Sequence, residues 1–149
     1  MTQKCTFALV LVGIPALMLL ATPAPAGARA KVKTVHRTIS ATTAHDYWLF
    51  HKQTNFQYFE IIDLRSPKAH ARGRIPGAKN LEANKHLRGK LNRLSKTKAY
   101  MIYCRNGKVG KRTMALMKKL RFRTVYNIQD GIIAWNRRKY EIKRGTGDN

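Results

Sequence analysis

The chain has 149 residues, 44% of them hydrophobic, and sets 30 Lys and Arg against 7 Asp and Glu, a formal net charge of +23. That length describes one domain, large enough to bury a single core without disulfide staples. A field this positive draws anions: nucleic acid, anionic lipid, an acidic protein or small anionic substrates.

Residues 1–30 read as a secretory signal. Lys4 supplies the positive start, and Phe7 to Ala21 is apolar and uncharged. Ala24-Pro25-Ala26 and Ala28-Arg29-Ala30 each offer the small-x-small pattern of a cleavage site. The apolar run is short for a membrane span, and Pro15 interrupts it. An uncleaved anchor is the alternative and the one route to a membrane. Cleavage removes Lys4, Cys5 and Arg29, leaving 28 basic residues against 7 acidic ones, a net +21. Export implies a periplasmic or secreted protein and argues against a nucleic-acid partner. The aromatic residues, sitting mostly inside apolar runs, form no visible stacking platform. An acidic protein partner fits the charge better.

Residues 31–34 form a linker at the end of a Pro-, Ala- and Lys-rich stretch. A domain over 35–143 follows, with 144–149 as a flexible tail. Val35 to Ile39 is a short strand, and Ser40 or Thr42 caps a helix running through Phe50. Residues 58–64 are a strong strand. Pro67 opens a helical turn through Ala71, and residues 73–78 are a turn and loop. Leu87, Leu91 and Leu94 lie on one helical face. Ala99 to Tyr103 is a nearly continuous apolar strand, of the kind covered on both faces in a parallel sheet. A helix follows Cys104 to about Leu120. Thr124 to Ile128 is another strand, and Gly131 begins a last helix. Strands alternating with helices give an α/β fold.

Cys104 stands at a strand end, where parallel sheets bind their ligands. The loop Arg105-Asn106-Gly107-Lys108-Val109-Gly110-Lys111-Arg112 leads from it into a helix. Backbone N–H groups, the helix dipole and the basic side chains favour a thiolate there, and the thiolate is the nucleophile. After cleavage Cys104 is the sole cysteine, so no disulfide forms within the chain and the residue is a candidate reactive thiol. The bland alternative is a small buried hydrophobe. His36, His45, His51, His70 and His86 show no metal-ligand spacing and read as surface or packing residues.

Three segments together resemble a single-domain rhodanese. Ile62-Asp63-Leu64-Arg65 with Gly73-Arg74-Ile75-Pro76-Gly77-Ala78 is similar to D-V-R…G-H-I-P-G-A. Tyr103-Cys104-Arg105-Asn106-Gly107 is similar to the Y-C-R-x-G active loop. Val125-Tyr126-Asn127-Ile128 and Asp130-Gly131 through Trp135 are similar to V-x-x-L-x-G-G-x-x-x-W. The resemblance covers residues 35–140 and implies a three-layer fold with a five-stranded parallel sheet flanked by helices. It also implies sulfurtransferase chemistry through a persulfide on Cys104. A donor such as thiosulfate gives up its outer sulfur, and cyanide or a thiol accepts it. Amides from Arg105 to Gly110 cradle the anion, with Gly107 and Gly110 permitting the tight path. Arg105 and Lys108 hold the sulfonate end. Asp63 and Arg65 form a supporting ion pair. No metal, cofactor or general base is called for.

This chain departs from the pattern C-R-S-G-x-R-S. Val109 and Gly110 occupy the places of its second arginine and its second serine. Arg74 stands for the usual histidine, and Asp130 for the first glycine of the late pair. Both bear on donor and acceptor preference. A phosphatase- or arsenate-reductase-like loop needs cysteine-x5-arginine, and Gly110 stands where that arginine belongs. A persulfide carrier without turnover, or a basic binding module, is the remaining alternative.

Overall fold

The computed structural model describes residues 33–53 and 57–146. The expected signal peptide, Cys5 and both cleavage motifs lie outside the described residues. Among the described residues, no helix is long and apolar enough to cross a membrane.

The elements alternate. In order they are β1 (Val35–Ile39), α1 (Ala41–Gln53), β2 (Phe59–Asp63), α2 (Pro67–Arg72), β3 (Ala78–Asn80), α3 (Leu87–Asn92), β4 (Ala99–Tyr103), α4 (Lys108–Lys119), β5 (Thr124–Ile128) and α5 (Gly131–Arg137). The five strands form one parallel sheet in the order β1-β5-β4-β2-β3. Local signals set the helix starts. The Ser40 hydroxyl accepts the Thr43 amide at 3.1 Å, and the Ser66 hydroxyl accepts the Ala69 amide at 3.4 Å with Pro67 at the first position of α2.

β3 corrects the expectation that residues 73–78 run on as loop. Its three residues pair Ala78 with Ile61 and Asn80 with Asp63 at the sheet edge. So short a segment carries no alternation to read.

The sheet separates two cores. Met101 and Tyr103 of β4 join Trp48 of α1 and Trp135 of α5 on one face. Tyr100, Ile102 and Cys104 join Leu87 and Leu91 of α3 and Met117 of α4 on the other. Successive strand side chains point to opposite faces, so this division follows from the strand itself. Residues Tyr100 to Tyr103 are all buried, as a central parallel strand requires. Trp135 is core, and its indole N–H donates to the Glu141 carbonyl at 2.9 Å. The expected tail is tied down at first. The Gly145 amide donates to the Ala71 carbonyl, and Arg74 and Lys143 exchange two backbone bonds of 2.9 Å.

Candidate active site

β4 delivers Cys104 to the carboxyl edge of the sheet. Its neighbour β2 ends level with it: Asp63 pairs with Tyr103, and the Leu64 amide donates to the Tyr103 carbonyl at 2.9 Å. Cys104 is a free thiol and only 4% exposed. The bland reading therefore holds in part, since the residue does pack into the α3/α4-side core. Its chemical setting differs from that of an ordinary core cysteine.

Two carbonyls of the loop are spoken for. The Ile132 amide donates to the Cys104 carbonyl at 2.9 Å, and the Ile133 amide to the Arg105 carbonyl at 3.3 Å. The amides of Arg105, Asn106 and Gly107 donate to no acceptor among the described residues. α4 begins at Lys108, whose amide donates to the Asn106 side-chain oxygen at 3.3 Å. The next two amides, of Val109 and Gly110, fall in the first turn and have no partner within the helix. The loop thus gathers five uncommitted N–H groups around the residues that follow the thiol. Uncommitted amides at a helix start suit an anion, and the helix dipole adds to their effect. Arg105, Lys108, Lys111 and Arg112 are exposed around it.

Gly107 makes the path possible. Its φ is 80°, and a Cβ there would lie 2.9 Å from the Asp130 amide nitrogen. Asp130 itself has φ 55° at the start of α5. A non-glycine residue is held in the left-handed region where the pattern has glycine.

Gly110 has a different reason. A Cβ at this position would collide with Oδ1 of Asn127 on β5. Asn127 is fully buried. Its Nδ2 reaches the Gly107 carbonyl at 3.4 Å and the Thr38 hydroxyl at 3.5 Å. Its Oδ1 has no hydrogen-bond partner. The space a serine at 110 would need belongs to Asn127. Val109, in the other departing position, is 39% exposed and apolar.

Under the loop lies a buried polar network centred on Asp63, which is 0% exposed. Arg65 donates to it from Nη2 at 2.6 Å and Nε at 2.9 Å, and its amide donates at 3.0 Å. The Tyr103 hydroxyl donates at 2.9 Å, and His70 Nδ1 lies 3.0 Å away. Arg65 Nη2 also donates to the Gly73 carbonyl at 2.6 Å, and the Tyr103 oxygen accepts the Ile75 amide at 3.3 Å. One carboxylate thereby braces β2, α2, the loop before β3 and the residue preceding Cys104. Burial works against the Arg65 charge, but the Asp63 carboxylate outweighs it and raises the guanidinium above its ordinary value. Burial, then the Asp63 charge, pushes the Tyr103 phenol well above its ordinary value.

The expected Asp63–Arg65 ion pair is present. His70 and Tyr103 are members of the network that sequence reasoning missed, as is Asn127 above the loop. Arg74 is buried and donates from Nη1 to the Gly145 carbonyl at 2.5 Å. It clasps the C-terminal segment and does not line the loop. Among the described residues, no three His, Cys, Asp or Glu side chains gather as a metal would need.

The pattern of the family described as a rhodanese-like domain matches residues 43–138. The chain belongs to the rhodanese-like domain family. A sulfurtransferase of Allochromatium vinosum is 33% identical over 88 residues, 58% of this chain and 80% of that protein. A rhodanese-related protein of Thermoplasma volcanium superposes with a TM-score of 0.60 at 22% identity, covering 72% of this chain and 97% of that one. A thiosulfate sulfurtransferase of Pseudomonas aeruginosa superposes with a TM-score of 0.59 at 23% identity, over 77% of this chain and 21% of that one. These structural likenesses speak to the fold, and the all-parallel five-stranded sheet agrees with them. This rhodanese-like domain is thus of a sulfurtransferase-type family.

Proposed function

We propose that this domain moves sulfane sulfur through a persulfide on Cys104, from thiosulfate or a similar donor to cyanide or a thiol. The observation that carries the reading is Cys104 at the head of a loop with five uncommitted amides. The Cys104 thiolate attacks the outer sulfur of thiosulfate. A bond forms between the two sulfurs, the bond to the sulfonate sulfur breaks, and its electron pair leaves with sulfite. A thiolate or cyanide then attacks the terminal persulfide sulfur, and Cys104 departs as thiolate. Each half-reaction brings an anion against an anion, which is repulsive unless compensated. The five uncommitted amides of Arg105, Asn106, Gly107, Val109 and Gly110 supply donors for the thiolate and persulfide. Arg105 and Lys108, both exposed at the loop, supply charge for the sulfonate and for departing sulfite.

The carrier reading, in which Cys104 passes its sulfur on without turnover, draws on two observations. The thiol is 4% exposed, and apolar Val109 stands where the pattern has arginine. A thiosulfate–cyanide assay with intact-mass analysis separates the two. Thiocyanate from the native protein and none from Cys104→Ser supports the enzyme. A one-sulfur adduct on Cys104 without thiocyanate supports the carrier. With neither product nor adduct, the persulfide reading fails. Export to the periplasm or beyond is part of the same proposal. It predicts a purified N-terminus near residue 31, whereas an intact Met1 indicates an anchor.

A further inference from the structure

Two adjoining hollows lie beside the active loop, between α2 and α5, of about 710 Å³ and 440 Å³. They share Arg72, Gly73 and Asn136, so they form one groove. Arg105, next in sequence to the thiol, lines its near end, and Lys139 and Arg144 line its far end. All four of Arg72, Arg105, Lys139 and Arg144 are exposed. Ile132 and Ile133 line the end near the loop, which is mostly apolar, and Ile142 lines the far end, which is mixed.

No acidic residue lines either hollow. Of the neighbouring carboxylates, Asp130 is exposed at the start of α5 and lines neither hollow, and the other two are engaged elsewhere. Asp63 is buried against Arg65, and Glu141 is 3.3 Å from Lys52 of α1. Arg65 is therefore neutralised where it meets the groove, but the other four cations are not opposed by any lining acid. The far wall is preformed, because the segment carrying Ile142 and Arg144 is held by the Arg74–Lys143 backbone pair and by the Gly145 amide on Ala71.

We infer that this groove docks the sulfur acceptor as an acidic, partly apolar segment of another protein, whose thiol is thereby brought to Cys104. The inference rests on the persulfide reading above. A small anion needs donors converging on one point. Here the charges are strung along a trough with apolar side chains concentrated at the end near Arg105, which matches an extended acidic segment carrying apolar residues beside its thiol. A single-stranded nucleic acid would also draw on exposed aromatic faces for its bases. Tyr140, the one aromatic residue in the lining, is half-buried and stacked on His45 at 3.9 Å.

The test uses three short peptides with the same leucines and one terminal cysteine, their remaining residues being glutamate, serine or lysine. Sulfur transfer from thiosulfate-loaded protein to each peptide is followed by mass. Binding of fluorescent versions with the cysteine replaced by serine is followed by anisotropy. The native protein should favour the glutamate peptide over the serine one by about tenfold or more in both measurements, with the preference shrinking as salt rises. Arg72→Glu/Arg144→Glu should abolish it while still loading sulfur on Cys104. Equal binding of all three peptides, or an undiminished preference in the double variant, overturns the docking surface. A single-stranded oligonucleotide that outcompetes the glutamate peptide does so too. If Cys104 fails to load at all, the persulfide reading falls and the acceptor role with it. If it loads and the peptides are not distinguished, the groove alone is refuted.

Discussion

Gly110→Ala tests the contact between α4 and β5. The added methyl lies 2.9 Å from Cγ of Asn127 and inside the envelope of its Oδ1. Asn127 is fully buried on a strand paired on both sides, so it has little room to yield. Overpacking of this kind costs about 1–3 kcal/mol. Alanine returns at most about 1 kcal/mol of helix propensity. Because the contact is deep and Asn127 cannot yield, the upper part of the overpacking range, about 2–3 kcal/mol, applies, so the net loss is about 1–2 kcal/mol, or about 4–8 °C in Tm for a domain of this size. Asn127→Ala should by itself cost about 1 kcal/mol or less. Its side-chain donations are long, at 3.4 Å and 3.5 Å, and it removes an unpaired buried oxygen. The Gly107 carbonyl would still accept the Lys111 amide at 3.0 Å. The double variant should therefore melt above Gly110→Ala, with a coupling of at least about 1 kcal/mol. Urea and thermal unfolding of the four proteins measure this cycle. Gly110→Ala melting with the native protein, or costs that add to within about 0.5 kcal/mol, would refute the claim that Asn127 sets the residue at 110.

Three further outcomes follow from the site and its support. Asp63→Asn should cost about 3 kcal/mol or more, because it leaves the Arg65 guanidinium half-buried without its counter-charge; equilibrium unfolding in urea measures it. Gly107→Ala should suppress sulfur loading of Cys104 by thiosulfate, read by intact mass, because its φ of 80° and the Asp130 amide at 2.9 Å force the loop to move. Glu60 adds a pH-dependent contribution. Burial alone would raise its carboxyl, but hydrogen bonding to Lys98 at 2.8 Å and the charges of Lys79 and Lys98 hold it below the ordinary value. Its stabilisation is present above the unfolded carboxyl's pKa and is lost as pH falls through the lower folded one. Glu60→Gln should therefore cost about 1 kcal/mol near neutrality and nothing in acid. A cost that persists unchanged at low pH would count against the ion pair as its source.

Much of this was legible in the chain. β1, β4 and β5 start and stop at the expected residues, and Ser40 and Pro67 mark two helix starts. β3 was not legible, since three residues with exposed Lys79 in the middle leave no pattern. The Asp63–Arg65 pair could be read because its members are two positions apart. His70 and Tyr103 could not be read into it, because they arrive from a helix and a strand that only the fold brings to the same carboxylate. Val109 and Gly110 looked in sequence like two losses of one kind. The structure separates them: Val109 is an exposed replacement, whereas Gly110 is dictated by a side chain seventeen positions away on the strand beneath α4. The burial of Cys104 depends likewise on α3 and α4, and a single sequence does not show how closely they cover it.

Tyr103 and Cys104 are consecutive residues committed to opposite sides of the sheet. β4 is paired on both edges and covered on both faces, so its amides should be among the last to exchange with solvent, at the cost of global unfolding. The amides of Arg105, Asn106 and Gly107 donate to no acceptor among the described residues and should exchange among the first. Cys104 is thus anchored at the end of the strand expected to open last, while the amides proposed to meet an anion belong to a loop expected to exchange fast. In the proposed reaction, donor and acceptor would then come and go past the loop while the Cys104 sulfur keeps its place.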